Sequence, residues 1–204
     1  GRTDSGVHAK AQVANFRTVS PMRAREWAQA LNHFLPEDLA VLRAASVSPR
    51  FHARFSAIGK VYRYRILNRR IPNPLNRRFV WMFFQELDLR RMRAAARYLL
   101  GRHDFSSFRV GPPQTDSMNS ARHPFCRIKE LKIKKTGDEI AFLVQGDRFL
   151  RQMVRTMVGT LVEIGRGKEN PSAMKRILEK KDRRSAGPTA PSRGLCLEKV
   201  LYRN

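Results

Sequence analysis

Residues 59–68 read Gly59-Lys60-Val61-Tyr62-Arg63-Tyr64-Arg65-Ile66-Leu67-Asn68. From Tyr62 onward apolar and basic residues alternate, the period of a strand with one buried face. Tyr62, Tyr64 and Ile66 share that face, and Arg63 and Arg65 point the other way. Toward the C-terminus, Arg77 to Phe84 reads as a second strand. Asp88 then caps a helix with Leu89, Met92, Ala96, Leu99 and Leu100 on its apolar face and Gly101 as its stop. Residues 110–120 are rich in Gly, Pro, Ser and Asn and read as a loop. Pro124 to Lys135 and Glu139 to Gly146 form a hairpin around Gly137-Asp138. Residues 149–164 are apolar on most sides, the mark of a buried helix. Asn170-Pro171 opens a short helix carrying Met174, Ile177 and Leu178. A basic loop over 181–194 leads to a last strand, Leu195 to Tyr202. Adjacent strand pairs separated by single helices predict an α+β fold, with a mixed, largely antiparallel sheet and helices on one face.

Upstream, Val7 to Phe16 alternates and reads as a strand, as does Leu39 to Val47. Between them Ser20-Pro21 reads as an N-cap and first helical residue. Trp27, Leu31, Phe34 and Leu35 form one helical stripe, which Pro36 ends.

The chain has 204 residues, with 41 Lys and Arg against 17 Asp and Glu, a formal charge of +24. Arg supplies 30 of the 41 basic residues and Lys the other 11. A fold does not need that excess, which destabilises the compact state by self-repulsion; a polyanionic partner offsets it. The preference for Arg fits bidentate phosphate contacts and stacking on bases. A membrane-surface protein would need an amphipathic helix with one basic and one exposed apolar face, and no segment fits well. An apolar content of 42% excludes a chain disordered throughout. No apolar run is long enough to span a bilayer: the longest, around Met153 to Ile164, is broken by Arg155, Thr156, Gly159 and Thr160. Cys126 and Cys196 stand far apart, which excludes a disulfide scaffold or zinc ribbon and fits a reducing compartment, hence the cytoplasm. On composition alone, a basic RNA-binding module without catalysis is the plainest reading.

Some chemistries lack their residues. The five His form no metal-ligand pair, and no phosphate-binding loop, dinucleotide fingerprint or serine elbow occurs. Asp4-Ser5-Gly6 matches the triplet of aspartic proteases, but no second triplet accompanies it. Three constellations remain. Asp4, in Arg2-Thr3-Asp4-Ser5-Gly6-Val7-His8, is a rare acid in a basic chain, at the head of a strand; it is also a residue type that caps its own turn. Arg148, just before the apolar 149–164 segment, and Arg151 and Arg155 within it recur at helical spacing. Arg155, flanked by Met153, Val154, Met157 and Val158, needs an anionic partner if buried. Lys60, Arg63, Arg65, Arg69, Arg70, Arg77 and Arg78 run without an acid, interleaved with Tyr62 and Tyr64. That pattern suits a surface tracking a phosphate backbone while a ring stacks on a base; a solvated strand face with core tyrosines is the competing reading.

These residues also resemble a known family. Gly1-Arg2-Thr3-Asp4-Ser5-Gly6-Val7-His8-Ala9 is similar to the signature of the TruA-type tRNA pseudouridine synthases, with Ser5 in place of the common Ala. Four further blocks follow in the family's order: Phe51-His52-Ala53-Arg54 through Lys60 to Tyr64, His103 to Phe108, Phe149 to Arg155 with Gly159, and Ala190-Pro191 with Gly194-Leu195. The resemblance implies two ferredoxin-like halves with merged sheets and a central RNA-binding cleft, residues 1–56 falling in the N-terminal half and 57–204 in the C-terminal one. It implies an isomerase acting on uridines 38–40 of the tRNA anticodon arm, a homodimer, and no cofactor or metal. Asp4 would be the catalytic aspartate, Arg155 its partner, and Tyr62 the ring that stacks on the flipped uracil and assists proton removal from C5. Arg2 would help extrude the uridine and Leu195 would line the pocket; the basic pattern itself, apart from the resemblance, makes Lys60, Arg63, Arg65 and Arg151 candidate RNA contacts. Members of the family usually carry a strand and a helix ahead of the first block. The resemblance therefore implies an unpaired edge or a bare apolar face here, and lower stability and activity for these 204 residues alone.

Overall fold

In the computed structural model, which describes residues 2–112 and 123–203, one seven-stranded sheet organises the chain. Its strands are β1 (His8–Ala9), β2 (Ala57–Asn68), β3 (Trp81–Phe83), β4 (Gly101–Asp104), β5 (Phe125–Thr136), β6 (Glu139–Gly146) and β7 (Leu195–Tyr202). The order is β1-β7-β2-β6-β5-β4, with β3 paired to the far end of β2. The β1–β7 and β2–β3 pairs are parallel and the others antiparallel, so the sheet is largely antiparallel as expected.

Strand β2 sets the register. Tyr62 lies opposite Val144 on β6 and Leu197 on β7, and Tyr64 opposite Phe142 and Leu195. All six side chains are buried on one face. Helices α2 (Leu89–Ala96), α3 (Met153–Gly165) and α4 (Ala173–Lys180) cover that face. Each large side chain so buried contributes about 1.5–3 kcal/mol. Asp88 caps α2 by accepting from the N–H groups of Arg90 (2.7 Å) and Arg91 (3.1 Å). In α3 only Arg155 and Glu163 are not buried, which explains the strongly apolar sequence. Among the described residues, no helix is long and apolar enough to cross a membrane.

The structure revises several expectations. The first strand is two residues long, because His8 and Ala9 find partners in Cys196 and Leu197 and the chain leaves the sheet after Lys10. Residues 39–47 form no strand; Asn32 bonds both the N–H and the C=O of Val41 (2.7 and 3.0 Å), satisfying backbone groups a neighbouring strand would otherwise take. The first helix, α1 (Ala24–Phe34), begins after Arg23 rather than at Pro21: Glu26 accepts from the Arg23 N–H (3.0 Å), while the Ser20 hydroxyl serves only a local turn to Met22 (3.3 Å). Its apolar stripe buries no residue, and Phe34 is exposed. The strand expected over 77–84 shrinks to β3, since only Trp81–Phe83 lie beside β2. Strand β4 was not expected, its Gly-Arg-His-Asp sequence having no apolar alternation. Of the expected loop at 110–120, residues 113–120 lie outside the described residues.

Candidate active site

A tight turn presents Asp4. The Val7 N–H bonds the Asp4 carbonyl (3.1 Å), and Gly6, third in the turn, takes φ +73°. That left-handed value favours glycine. Space adds a second reason, since a β-carbon at Gly6 would lie 2.7 Å from the Ser192 hydroxyl.

Arg155 approaches from the opposite end of the sequence. The helix expected from residue 149 begins at Met153, because Gln152 adopts φ +59° and interrupts the regular backbone. Arg148 and Arg151 therefore precede α3, and the expected triple-arginine face reduces to Arg155 alone. Its Nη1 donates to Asp4 Oδ2 at 3.0 Å and its Nε to the Ala190 carbonyl at 2.7 Å. The Ala190 N–H returns a bond to the Arg155 carbonyl at 3.1 Å. The Arg155 side chain is 14% exposed and that of Asp4 30%. The carboxylate is thus reachable from solvent, with a guanidinium behind it.

Tyr62 stands within electrostatic reach of this pair. Burial first, and the Asp4 charge second, push its phenol up to about 12. It is a neutral ring at physiological pH, set edge-on to Phe149 with centroids 5.2 Å apart. Beside it Tyr64 is fully buried and donates to the Pro191 carbonyl (2.8 Å); burial holds its phenol far above the ordinary value, against the opposing pull of Arg155 and Arg193.

The remaining expected residues separate into two groups. Leu195 is buried opposite Tyr64, and Lys60 lies on the same face of β2 as Tyr62. Arg2 is exposed two residues before Asp4, and Arg151 is exposed in the turn leading into α3. Arg63 and Arg65, by strand alternation, lie on the opposite face of the sheet. Glu198, the extra residue where the β2–β7 register shifts, takes Arg63 at 2.6 Å and Lys10 at 3.4 Å. Arg65 makes two bonds to Glu139, at 2.9 and 2.6 Å. The structure does not bring these two arginines to Asp4, and both are paired.

Sequence reasoning missed Phe149 against Tyr62 and the Ala190 carbonyl that anchors Arg155. Both fall inside quoted blocks, but backbone acceptors and edge-on packing leave no residue-type signal. A cavity of about 560 Å³ opens elsewhere, among Thr160, Glu163, Ile177, Ser185 and Pro188, and none of Asp4, Tyr62 and Arg155 lines it.

A family model described as tRNA pseudouridine synthase matches residues 95–203. The chain is 48% identical over 203 residues to tRNA pseudouridine synthase A of Moorella thermoacetica, covering 99% of this chain and 80% of that protein. It is 45% identical over 205 residues to tRNA pseudouridine synthase A of Myxococcus xanthus, covering 100% of this chain and 75% of the relative. With tRNA pseudouridine synthase A 2 of Clostridium perfringens it shares 44% over 202 residues, 98% of this chain and 80% of the relative.

Proposed function

As this chain belongs to the TruA-type tRNA pseudouridine synthases, an isomerase family, we propose that Asp4 is its catalytic carboxylate and that the substrate uridines lie in the anticodon arm, at positions 38–40. The observation that supports the assignment of Asp4 is its 3.0 Å pairing with Arg155 beside the buried ring of Tyr62.

The isomerisation breaks C1′–N1, turns the base and forms C1′–C5. The C5 proton leaves and N1 gains one, so no electrons are exchanged with the surroundings. A carboxylate at C1′ meets the positive charge that develops as the glycosidic bond breaks, either as an ion or by bonding to the carbon. It also has the lone pairs to accept the C5 proton once C1′–C5 exists. Arg155 holds that carboxylate in place through a charge-assisted hydrogen bond. Tyr62 keeps its own proton, so it serves as a surface for the turned base rather than as a phenolate base.

Taking the uridine out of its stack costs on the order of a few kcal/mol. In this reading, phosphate contacts from the exposed Arg2 and Arg151, together with Lys60 on the Tyr62 face, offset that cost. Arg63 and Arg65 belong to a charge ladder on the other face of the sheet. The N-terminal half, residues 1–56, contributes the Asp4 turn, and residues 57–204 supply Tyr62, Arg155 and Leu195. The working unit is a homodimer acting without cofactor, in the cytoplasm.

Release of tritium from tRNA labelled at uridine C5 tests the assignment. Release by the wild-type chain, lost in Asp4→Asn with tRNA binding retained, supports it. Release that survives the substitution removes Asp4 from its role. The second reading, a binding module without chemistry, predicts tight, salt-sensitive tRNA binding and no release from any variant.

A further inference from the structure

We propose that residues 187–192 form a strap that sets the position of the Arg155 guanidinium, and that Thr189, held by Arg183, is a positioning residue for the reaction. This rests on the proposed role of the Asp4–Arg155 pair.

The strap follows α3 toward the site, one tie after another. The Gly187 N–H bonds the Thr160 hydroxyl at 3.0 Å. Pro188 crosses α3 at Gly159, where a β-carbon would lie 1.8 Å from the Pro188 carbonyl oxygen. The hydroxyls of Thr189 and Thr156 are 3.3 Å apart. Ala190 exchanges two bonds with Arg155, at 2.7 and 3.1 Å. The Pro191 carbonyl then accepts from Tyr64 at 2.8 Å, and Ser192 fills the space that glycine leaves at residue 6. Six consecutive residues therefore touch the helix bearing Arg155, the strand bearing Tyr62 and Tyr64, and the turn bearing Asp4.

Thr189 is the side chain in that segment with most to hold. Pro188 and Pro191 have no N–H to donate. Thr156 is fully buried and follows Arg155 directly, so its hydroxyl needs a partner at this height of the helix. On the other side Arg183 Nη2 donates to the Thr189 hydroxyl at 3.0 Å, and its Nη1 to the Ala186 carbonyl at 3.3 Å. A guanidinium can only donate. Thr189 therefore offers a lone pair to Arg183 and shares one hydrogen bond with the Thr156 hydroxyl, in which either oxygen can donate. Arg183 is costly to hold there: among the described residues no carboxylate is paired with it, its Nε is buried without a partner, and burial lowers its pKa. The arrangement fixes the rotamer of Thr189, and with it the level at which the Ala190 carbonyl meets Arg155.

The test compares Thr189→Val, which keeps the shape and removes the hydroxyl, with Thr189→Ser, which keeps the hydroxyl. Thr189→Val is expected to lower kcat for tritium release by about tenfold to a hundredfold, with KM within about twofold of wild type. Thr189→Ser is expected near wild type. In an Arg155→Lys background, Thr189→Val should add no further loss, because it acts through Arg155. A wild-type kcat in Thr189→Val, a loss confined to KM, or losses that multiply in the double variant would overturn the proposal. A readout independent of turnover is the Nε–H resonance of Arg155, assigned by its disappearance in Arg155→Lys. It should hold its position in Thr189→Ser and shift or broaden in Thr189→Val; an unmoved resonance in Thr189→Val overturns the proposal even if the chain turns over no substrate. Asp4→Asn run in parallel separates the two readings: activity in that variant defeats the catalytic assignment of Asp4, while the resonance still judges the strap.

Discussion

Arg155 and Asp4 are separated by 151 positions in the chain and by 3.0 Å in space, Nη1 to Oδ2. The contact joins the N-terminal turn to the most buried helix of the fold. It gives a basic chain a carboxylate that is both accessible and held.

Replacing Arg155 by Met removes the partner of Asp4 and leaves the Ala190 carbonyl without its donor. The cost is expected at about 1–3 kcal/mol, the range for losing a charge-assisted bond and orphaning an acceptor. Urea unfolding measures it, and turnover should fall further than stability does. A variant as stable and as active as wild type would show that the pair is ornamental.

Gly159 has no side chain to act on a substrate, yet Gly159→Ala is expected to impair catalysis. The added methyl meets the Pro188 carbonyl at 1.8 Å, so the strap must move. Overpacking of this kind costs about 1–3 kcal/mol, and the displaced Ala190 carbonyl no longer meets Arg155. Normal turnover with a normal melting temperature would mean the strap shifts freely.

Tyr62 supplies a pH signature. Its phenol is raised to about 12 in the folded chain, against 10.0 for an ordinary tyrosine. The folded state therefore keeps a proton that the unfolded chain releases above pH 10, and stability falls as pH rises from there toward 12. The loss amounts to about 2–3 kcal/mol once both states are ionised. In denaturant melts between pH 8 and 11.5, Tyr62→Phe should lose less stability than wild type. Turnover near neutral pH should survive Tyr62→Phe, which keeps the ring, and fail in Tyr62→Ala. Equal alkaline losses in wild type and Tyr62→Phe would contradict the burial of that hydroxyl.

Salt dependence discriminates between the two faces of the sheet. Arg2→Ala and Arg151→Ala should weaken tRNA binding, each reducing the slope of log affinity against log salt by about 1. Arg63→Ala and Arg65→Ala should leave that slope unchanged, since Glu198 and Glu139 already neutralise these side chains. Their effect on stability should stay within about 1 kcal/mol, as for other partly exposed pairs. A flattened slope for Arg65→Ala would place RNA on the far face.

The elements legible in the sequence were those whose pattern is local. The β5–β6 hairpin declares itself through Gly137-Asp138 between alternating runs, α2 through the Asp88 cap, and β2 through its tyrosines. Val7 to Phe16 and Leu39 to Val47 carry strand-like residues as well, but a strand also needs a neighbour, and that is a fact about distant sequence. Residue type made Asp4 a candidate as a rare acid and Arg155 as a charge in an apolar segment, and the family resemblance implied their roles. That Arg63 and Arg65 are paired was not legible, because their partners, Glu198 and Glu139, arrive from other strands.

What the sequence determined by itself was which residues can carry charge and, from β2 onward, which faces are buried, because charge follows from residue type and burial there from periodicity, whereas the equally periodic stripe of α1 buries nothing. Only the tertiary structure decided which charges meet. That Arg155 finds Asp4 while Arg63 and Arg65 find glutamates on the far face depends on sheet register and on a strap of backbone carbonyls. Neither has a signature in residue type, because every residue has the same carbonyl and the register is the outcome of packing the whole face at once.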